Sequence, residues 1–251
     1  MTAVQGTAVD IPTADGTADA YLAHPDDGGA HPAVLVFMDA FGLRPQLRSM
    51  ADRLAAEGYT VLVPNVFYRH GRAPLFDLPE FIDPGARPEI FERIVPVMQA
   101  LTPGLAMRDA GACLSWLDGH PAVADGPVAL TGYCMGARLS LLTAGTYPDQ
   151  VAAAAGFHGG RLATDTPDSP HLVAGKVTAE LYFGHADQDP SLSEEQIQRL
   201  EEALTSAGVR HRCEVYTGAP HGFTQADTAS YHQEGDERHW SALLDLLKRT
   251  F

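Results

Sequence analysis

Val128-Ala129-Leu130-Thr131-Gly132-Tyr133-Cys134-Met135-Gly136-Ala137-Arg138 is the stretch whose reading decides the fold. Residues 128–131 form a short apolar run that stops at Gly132, and helix-forming residues resume at Gly136. Between the two glycines stands one ionisable side chain, Cys134, in a G-x-nucleophile-x-G pattern. The spacing predicts a strand-to-helix turn so sharp that the middle residue is held in a strained backbone conformation. Such a turn sets residue 134 at the start of a helix, whose free N–H groups favour negative charge.

Outward from that turn, strands and helices alternate. Residues 4–11 and 17–23 read as two strands joined by Ala14-Asp15-Gly16, a D-G hairpin signal. Residues 33–38 are continuously apolar, as in a central strand covered on both faces, and end at Asp39-Ala40-Phe41-Gly42. Leu47, Met50, Ala51 and Leu54 recur at helical spacing, Gly58 stands where a C-cap belongs, and residues 60–63 give the next buried strand. Residues 65–104, punctuated by Gly and Pro, read as a loop-rich insertion that shapes a pocket, with a helix over 89–101. A further helix follows through Ala110, Leu114 and Leu117, with Cys113 as a core residue.

Beyond the opening stretch come strands at 151–157 and within 176–183, the latter leading into Gly184-His185-Ala186-Asp187. His185 reads as a loop residue. Ser191-Leu192-Ser193-Glu194 offers a capping box for a helix whose inner face is Ile197, Leu200 and Leu204. Residues 213–216 form the last strand, followed by a loop with His221, and Trp240, Leu243, Leu244, Leu247 and Phe251 mark one face of a final helix. Strand–helix–strand order calls for a predominantly parallel sheet with helices on both faces, here with an N-terminal antiparallel hairpin, in one domain over 1–251.

Composition narrows the function classes. The chain has 251 residues, 45% of them hydrophobic and 20% charged, as expected of a soluble globular protein. A net charge of −15 disfavours nucleic acid and anionic membranes as partners. No apolar run reaches membrane-span length, and residues 1–6 lack a signal-peptide pattern, so a cytoplasmic location is expected. Three scattered cysteines, no zinc-ligand spacing among the eleven His, no dinucleotide fingerprint and no P-loop predict neither disulfide framework, metal nor cofactor.

Reactive groups in an open parallel sheet gather at the carboxyl ends of its strands. Asp39, Cys134, Asp187 and His221 fall there, and nucleophile–acid–histidine is the chain order of an α/β-hydrolase triad. With Asp39 through Gly42, Gly132 through Gly136, Gly184 through Asp187 and Gly218-Ala219-Pro220-His221-Gly222-Phe223, the chain resembles the dienelactone hydrolase family of the α/β-hydrolase fold.

The resemblance implies that Cys134 attacks a small ester or lactone carbonyl and forms a thioester, with His221 as base and Asp187 as its orienting acid. It implies an oxyanion hole from the backbone N–H groups of Met135 and Ala40, and a thiol-gating acid at Asp39, where the family usually has Glu. Strand-end position favours Asp187 over its neighbour Asp189. Phe41, Tyr133, Gln225 and His158 are the candidate pocket residues. Gln225 stands where the archetypal enzymes place an Arg for the substrate carboxylate; Arg69, Arg72, Arg93 or Arg138 could compensate. The expected partner is a small-molecule ester or lactone, the chain acting as monomer or homodimer. The competing readings are a non-catalytic binding or regulatory protein that keeps the fold, and a redox-sensing thiol.

Overall fold

The structure, a computed structural model, describes residues 3–187 and 189–251; Met1 and Thr2, at the head of the stretch read for a leader, and Gln188 lie outside them. The chain divides into two compact units, the first ending at Val128 and the second running from Ala129 to Phe251.

In the first unit the D-G turn joins β1 (Val4–Thr13) to β2 (Gly16–Pro25), antiparallel, and β2 also pairs antiparallel with β4 (Thr60–Pro64). β3 (Ala33–Phe37) and β4 are fully buried and parallel, and α1 (Pro45–Ala56) crosses between them. The strand order is β1-β2-β4-β3. Leu47, Met50, Ala51 and Leu54 are the buried face of α1, as their spacing predicts, and Gly58 takes a left-handed φ of 100° just after its C-cap.

The 65–104 segment is more ordered than its composition suggests. A short 3-10 turn at Tyr68–His70 is followed by α2 (Arg87–Ala100), which buries Ile90 and Ile94, and then by α3 (Pro103–Asp118). Cys113 on α3 is a core residue, and burial pushes its thiol up to about 12.

The second unit has β5 (Val128–Tyr133), β6 (Val151–Phe157), β7 (Glu180–Ala186) and β8 (His211–Tyr216) in that spatial order, with β6, β7 and β8 parallel. α4 (Met135–Thr146), α5 (Glu194–Ser206) and α6 (Gln233–Thr250) join and cover them. The turn between β5 and α4 needs glycine for lack of space. A Cβ on Gly132 would overlap the Gly136 carbonyl and lie 2.7 Å from the Ser140 hydroxyl, so the strand end and the first helical turn could not close together.

Three local expectations are corrected. α5 is capped by Ser193, whose hydroxyl accepts from the Gln196 N–H, two residues later than the Ser191–Glu194 frame; Ser191 is engaged elsewhere. His185 lies in β7, fully buried and stacked on Phe183, with its pKa lowered to about 4 by burial. α6 buries His239, Trp240, Leu243, Leu246 and Leu247, while Phe251 is exposed and Leu244 half-buried. The buried stripe thus includes a polar residue that a hydrophobic-face reading leaves out. Among the described residues, no helix is long and apolar enough to cross a membrane.

Candidate active site

Cys134 sits between β5 and α4 with φ 56° and ψ −115°, a conformation that costs a side-chain-bearing residue about 1–3 kcal/mol. The surrounding turn maintains it. The Cys134 N–H donates to the Phe157 carbonyl at 3.1 Å, and the Cys134 carbonyl accepts from Ala137 N–H at 3.2 Å. The strained turn leaves the thiol partly exposed at the head of α4, where the first N–H groups of a helix have no partner within it.

His221 follows β8 and brings Nε2 to 3.1 Å from Cys134 Sγ. Its Nδ1 lies 2.6 Å from Oδ2 of Asp189. The residue facing the histidine is therefore Asp189, which corrects the sequence assignment of Asp187. Asp187 serves the loops instead. Its backbone N–H donates to the Ala219 carbonyl at 2.8 Å, and its carboxylate accepts the Gly218 N–H at 2.9 Å. It ties the loop after β7 to the loop that carries His221.

Asp189 is aimed by its own turn. In Asp189-Pro190-Ser191 the side-chain oxygen Oδ1 accepts from both the Ser191 N–H (2.8 Å) and the Ser191 hydroxyl (2.7 Å). This is an Asx turn, and it leaves Oδ2 free to face the imidazole. Ser191 Oγ also lies 3.4 Å from His221 Nδ1. Sequence reasoning missed Ser191; the Asp-Pro-Ser turn signature was the available clue.

Electrostatics reinforce the line of three. Burial disfavours the charged forms of both His221 and Asp189. Facing Cys134 and Asp189 nonetheless moves the histidine up to about 10, and the bonds from His221 and Ser191 hold the Asp189 carboxyl below its ordinary value. Facing these two groups favours the doubly protonated ring, in which one N–H points to the carboxylate and one to the sulfur.

The other expected residues are placed as follows. Met135 is the first residue of α4. His158, φ 39°, is wholly buried and packs 5.4 Å from the His221 ring and 5.0 Å from Phe223. Burial, then the neighbouring His221 and His239, holds its pKa well below the ordinary value, which favours its neutral form. Its Nε2 is 2.8 Å from the Thr224 hydroxyl, which also accepts from Gln225 Nε2 at 2.9 Å. Gln225, at 1% exposure, belongs to a neutral buried network.

Tyr133 is buried beneath the turn, its hydroxyl 3.0 Å from Nε2 of His239, whose Nδ1 is 3.1 Å from Asp236. Asp39, Ala40 and Phe41 belong to the first unit. There the Asp39 carboxylate accepts two bonds from Arg44 (2.8 and 3.0 Å) and one from the Phe41 N–H (2.9 Å). Both ion-pair partners are buried, so loss of either would strand a charge at a cost of about 3–5 kcal/mol. Phe41 packs edge-on against Phe91.

The model of the dienelactone hydrolase family matches residues 18–251. A carboxymethylenebutenolidase of Rhodococcus opacus is 28% identical over 232 residues, covering 91% of this chain and 85% of that one. A candidate carboxymethylenebutenolidase of Synechocystis sp. is 29% identical over 248 residues, covering 98% of this chain and 97% of that one. Among solved structures, a candidate dienelactone hydrolase of Klebsiella pneumoniae superposes with a TM-score of 0.84 at 25% identity, covering 97% and 98% of the two chains. The fold is thus α/β-hydrolase-like.

Proposed function

The chain belongs to the dienelactone hydrolase family, and from that premise we propose that it hydrolyses small carboxylic esters or lactones through a thioester on Cys134. The observation that carries this reading is the line Cys134 Sγ–His221 Nε2–Nδ1–Asp189 Oδ2, with separations of 3.1 and 2.6 Å.

The chemistry follows from the geometry. The Cys134 sulfur attacks the carbonyl carbon, an S–C bond forms, and the C–O bond to the leaving group breaks. His221 Nε2 gives its proton to the departing oxygen, which in a lactone remains tethered to the acyl group. Water then attacks the thioester. His221 takes a proton from that water, the C–S bond breaks, and the acid product leaves. Asp189 keeps the Nδ1 proton in place and stabilises the imidazolium, with Ser191 fixing the carboxylate. The Met135 N–H, at the positive end of α4, is an oxyanion donor in this scheme. No step calls on a metal or cofactor.

Selective alkylation tests the reading. Burial pushes the thiols of Cys113 and Cys213 up to about 12, so near neutral pH both remain protonated and slow to react. Iodoacetamide is expected to modify Cys134 first, and hydrolysis of 4-nitrophenyl acetate is expected to fall in step with that single modification. Hydrolysis that continues at full rate after Cys134 is completely alkylated would refute the mechanism. A protein that turns over no ester or lactone would be a binding protein on the same fold.

A further inference from the structure

α6 begins against the loop that carries His221. The His232 N–H donates to the Phe223 carbonyl at 3.1 Å, and the His232 side chain accepts from the Gly235 N–H at 3.1 Å. A Cβ on Gly235 would lie 3.1 Å from the Ala219 Cβ and 3.2 Å from the Phe223 ring, so the first turn of the helix packs its backbone directly on that loop.

One turn further along, His239 reaches the other member of the reacting pair. Its ring is wholly buried, with Nε2 3.0 Å from the Tyr133 hydroxyl and Nδ1 3.1 Å from Asp236 Oδ1. Tyr133 is the residue before Cys134. The same ring stands edge-on to Phe157, with 4.3 Å between centroids. Phe157 supplies the carbonyl that accepts the Cys134 N–H at 3.1 Å. His239 thus contacts both the chain neighbour and the backbone partner of a residue held at φ 56°.

An imidazole buried there is costly unless both nitrogens are met, and an apolar side chain would fill the space without that risk. A carboxylate can only accept, so Asp236 keeps a proton on Nδ1 and fixes the plane of the ring. The plane in turn sets where the Tyr133 hydroxyl can lie. A satisfied, directional network of this kind specifies one position for the groups it joins.

We propose that His239, aimed by Asp236, is a positioning residue for the reaction: through Tyr133 and Phe157 it sets Cys134 Sγ in line with His221, whose loop rests on the same helix. α6 is then a brace between the two partners of the 3.1 Å contact. The inference rests on the hydrolase reading above only for its kinetic consequence.

Tyr133→Phe, in the purified full chain, is the first test, because it removes the bond to His239 and keeps both rings. kcat/KM for 4-nitrophenyl acetate is expected to fall about 10- to 100-fold. Alkylation of Cys134 by iodoacetamide near neutral pH is expected to slow about 10-fold, because there the thiolate depends on His221. Well above the ordinary thiol range the thiolate forms without help, and the two proteins are expected to react alike. His239→Phe is expected to match Tyr133→Phe, and the double variant to lose no more than either single, since all three break one link. Asp236→Asn, whose oxygen can still accept from Nδ1, is expected to lose less than about 3-fold.

Wild-type kcat/KM and wild-type alkylation in Tyr133→Phe would overturn the proposal, as would a double variant whose loss is the product of the singles. Slower alkylation that persists above the thiol range, together with a lower Tm, would assign the contacts to the fold alone and overturn it too. If no ester is turned over but alkylation near neutral pH still slows in Tyr133→Phe, the hydrolase reading fails and the positioning role stands. Should His239→Phe not fold, Tyr133→Phe decides; should neither fold, the link serves stability and the proposal falls.

Discussion

Asp189→Asn is expected to lower kcat/KM for ester hydrolysis by about 10³- to 10⁴-fold, the scale seen when a triad acid is neutralised in place. The local bonds make the reason explicit. Ser191 presents two donors, its N–H and its hydroxyl, to Oδ1 of residue 189. An asparagine there must turn its oxygen to those donors, which leaves its NH₂ facing His221 Nδ1. Nδ1 then has to accept rather than donate, so the neutral ring carries its proton on Nε2 and cannot take one from thiol or water. Asp187→Asn is the matched control. Its oxygen can still accept the Gly218 N–H, so a loss of less than about 10-fold is expected from a merely loosened loop. The reverse ranking of the two variants would restore the assignment that sequence position alone suggests.

Cys134→Ala is expected to remove activity by about 10⁶-fold in kcat, as for loss of a nucleophile that works as one unit with its base. The residual rate is whatever positioning and the head of α4 contribute to attack by water. The fold is expected to persist. Alanine inherits the same φ of 56°, and the contacts that hold the turn, between Cys134 N–H and Phe157 and between the Cys134 carbonyl and Ala137, are backbone bonds. A melting temperature within a few degrees of the wild type, about 1 kcal/mol, would confirm that chemistry alone was lost. Activity that survives in a folded Cys134→Ala protein would mean that another group performs the attack.

These expectations show what sequence could and could not convey. The turn at Gly132 to Gly136 was legible because backbone crowding dictates its residues, and the structure bears out the strand, the strained residue 134 and the helix. His221 was legible as the polar residue after the last strand. The acid was not. Asp187 and Asp189 are two residues apart, and what separates them is which carboxylate an Asx turn captures, a local device that strand-end position ignores. The face of α6 was misread for a related reason. His239 is counted as polar by any hydrophobic pattern, yet it is buried because Tyr133 and Asp236 satisfy its two nitrogens.

The central claim is that acyl groups pass through the Cys134 sulfur. Mass spectrometry of the wild-type protein, acid-quenched within the first turnovers of 4-nitrophenyl acetate, tests it most directly, because the activated leaving group makes acylation faster than hydrolysis of the thioester. The account predicts one acetyl group per chain, mapped to Cys134 and removed by hydroxylamine. An acetyl group on any other residue, or turnover with Cys134 never acylated, would contradict it.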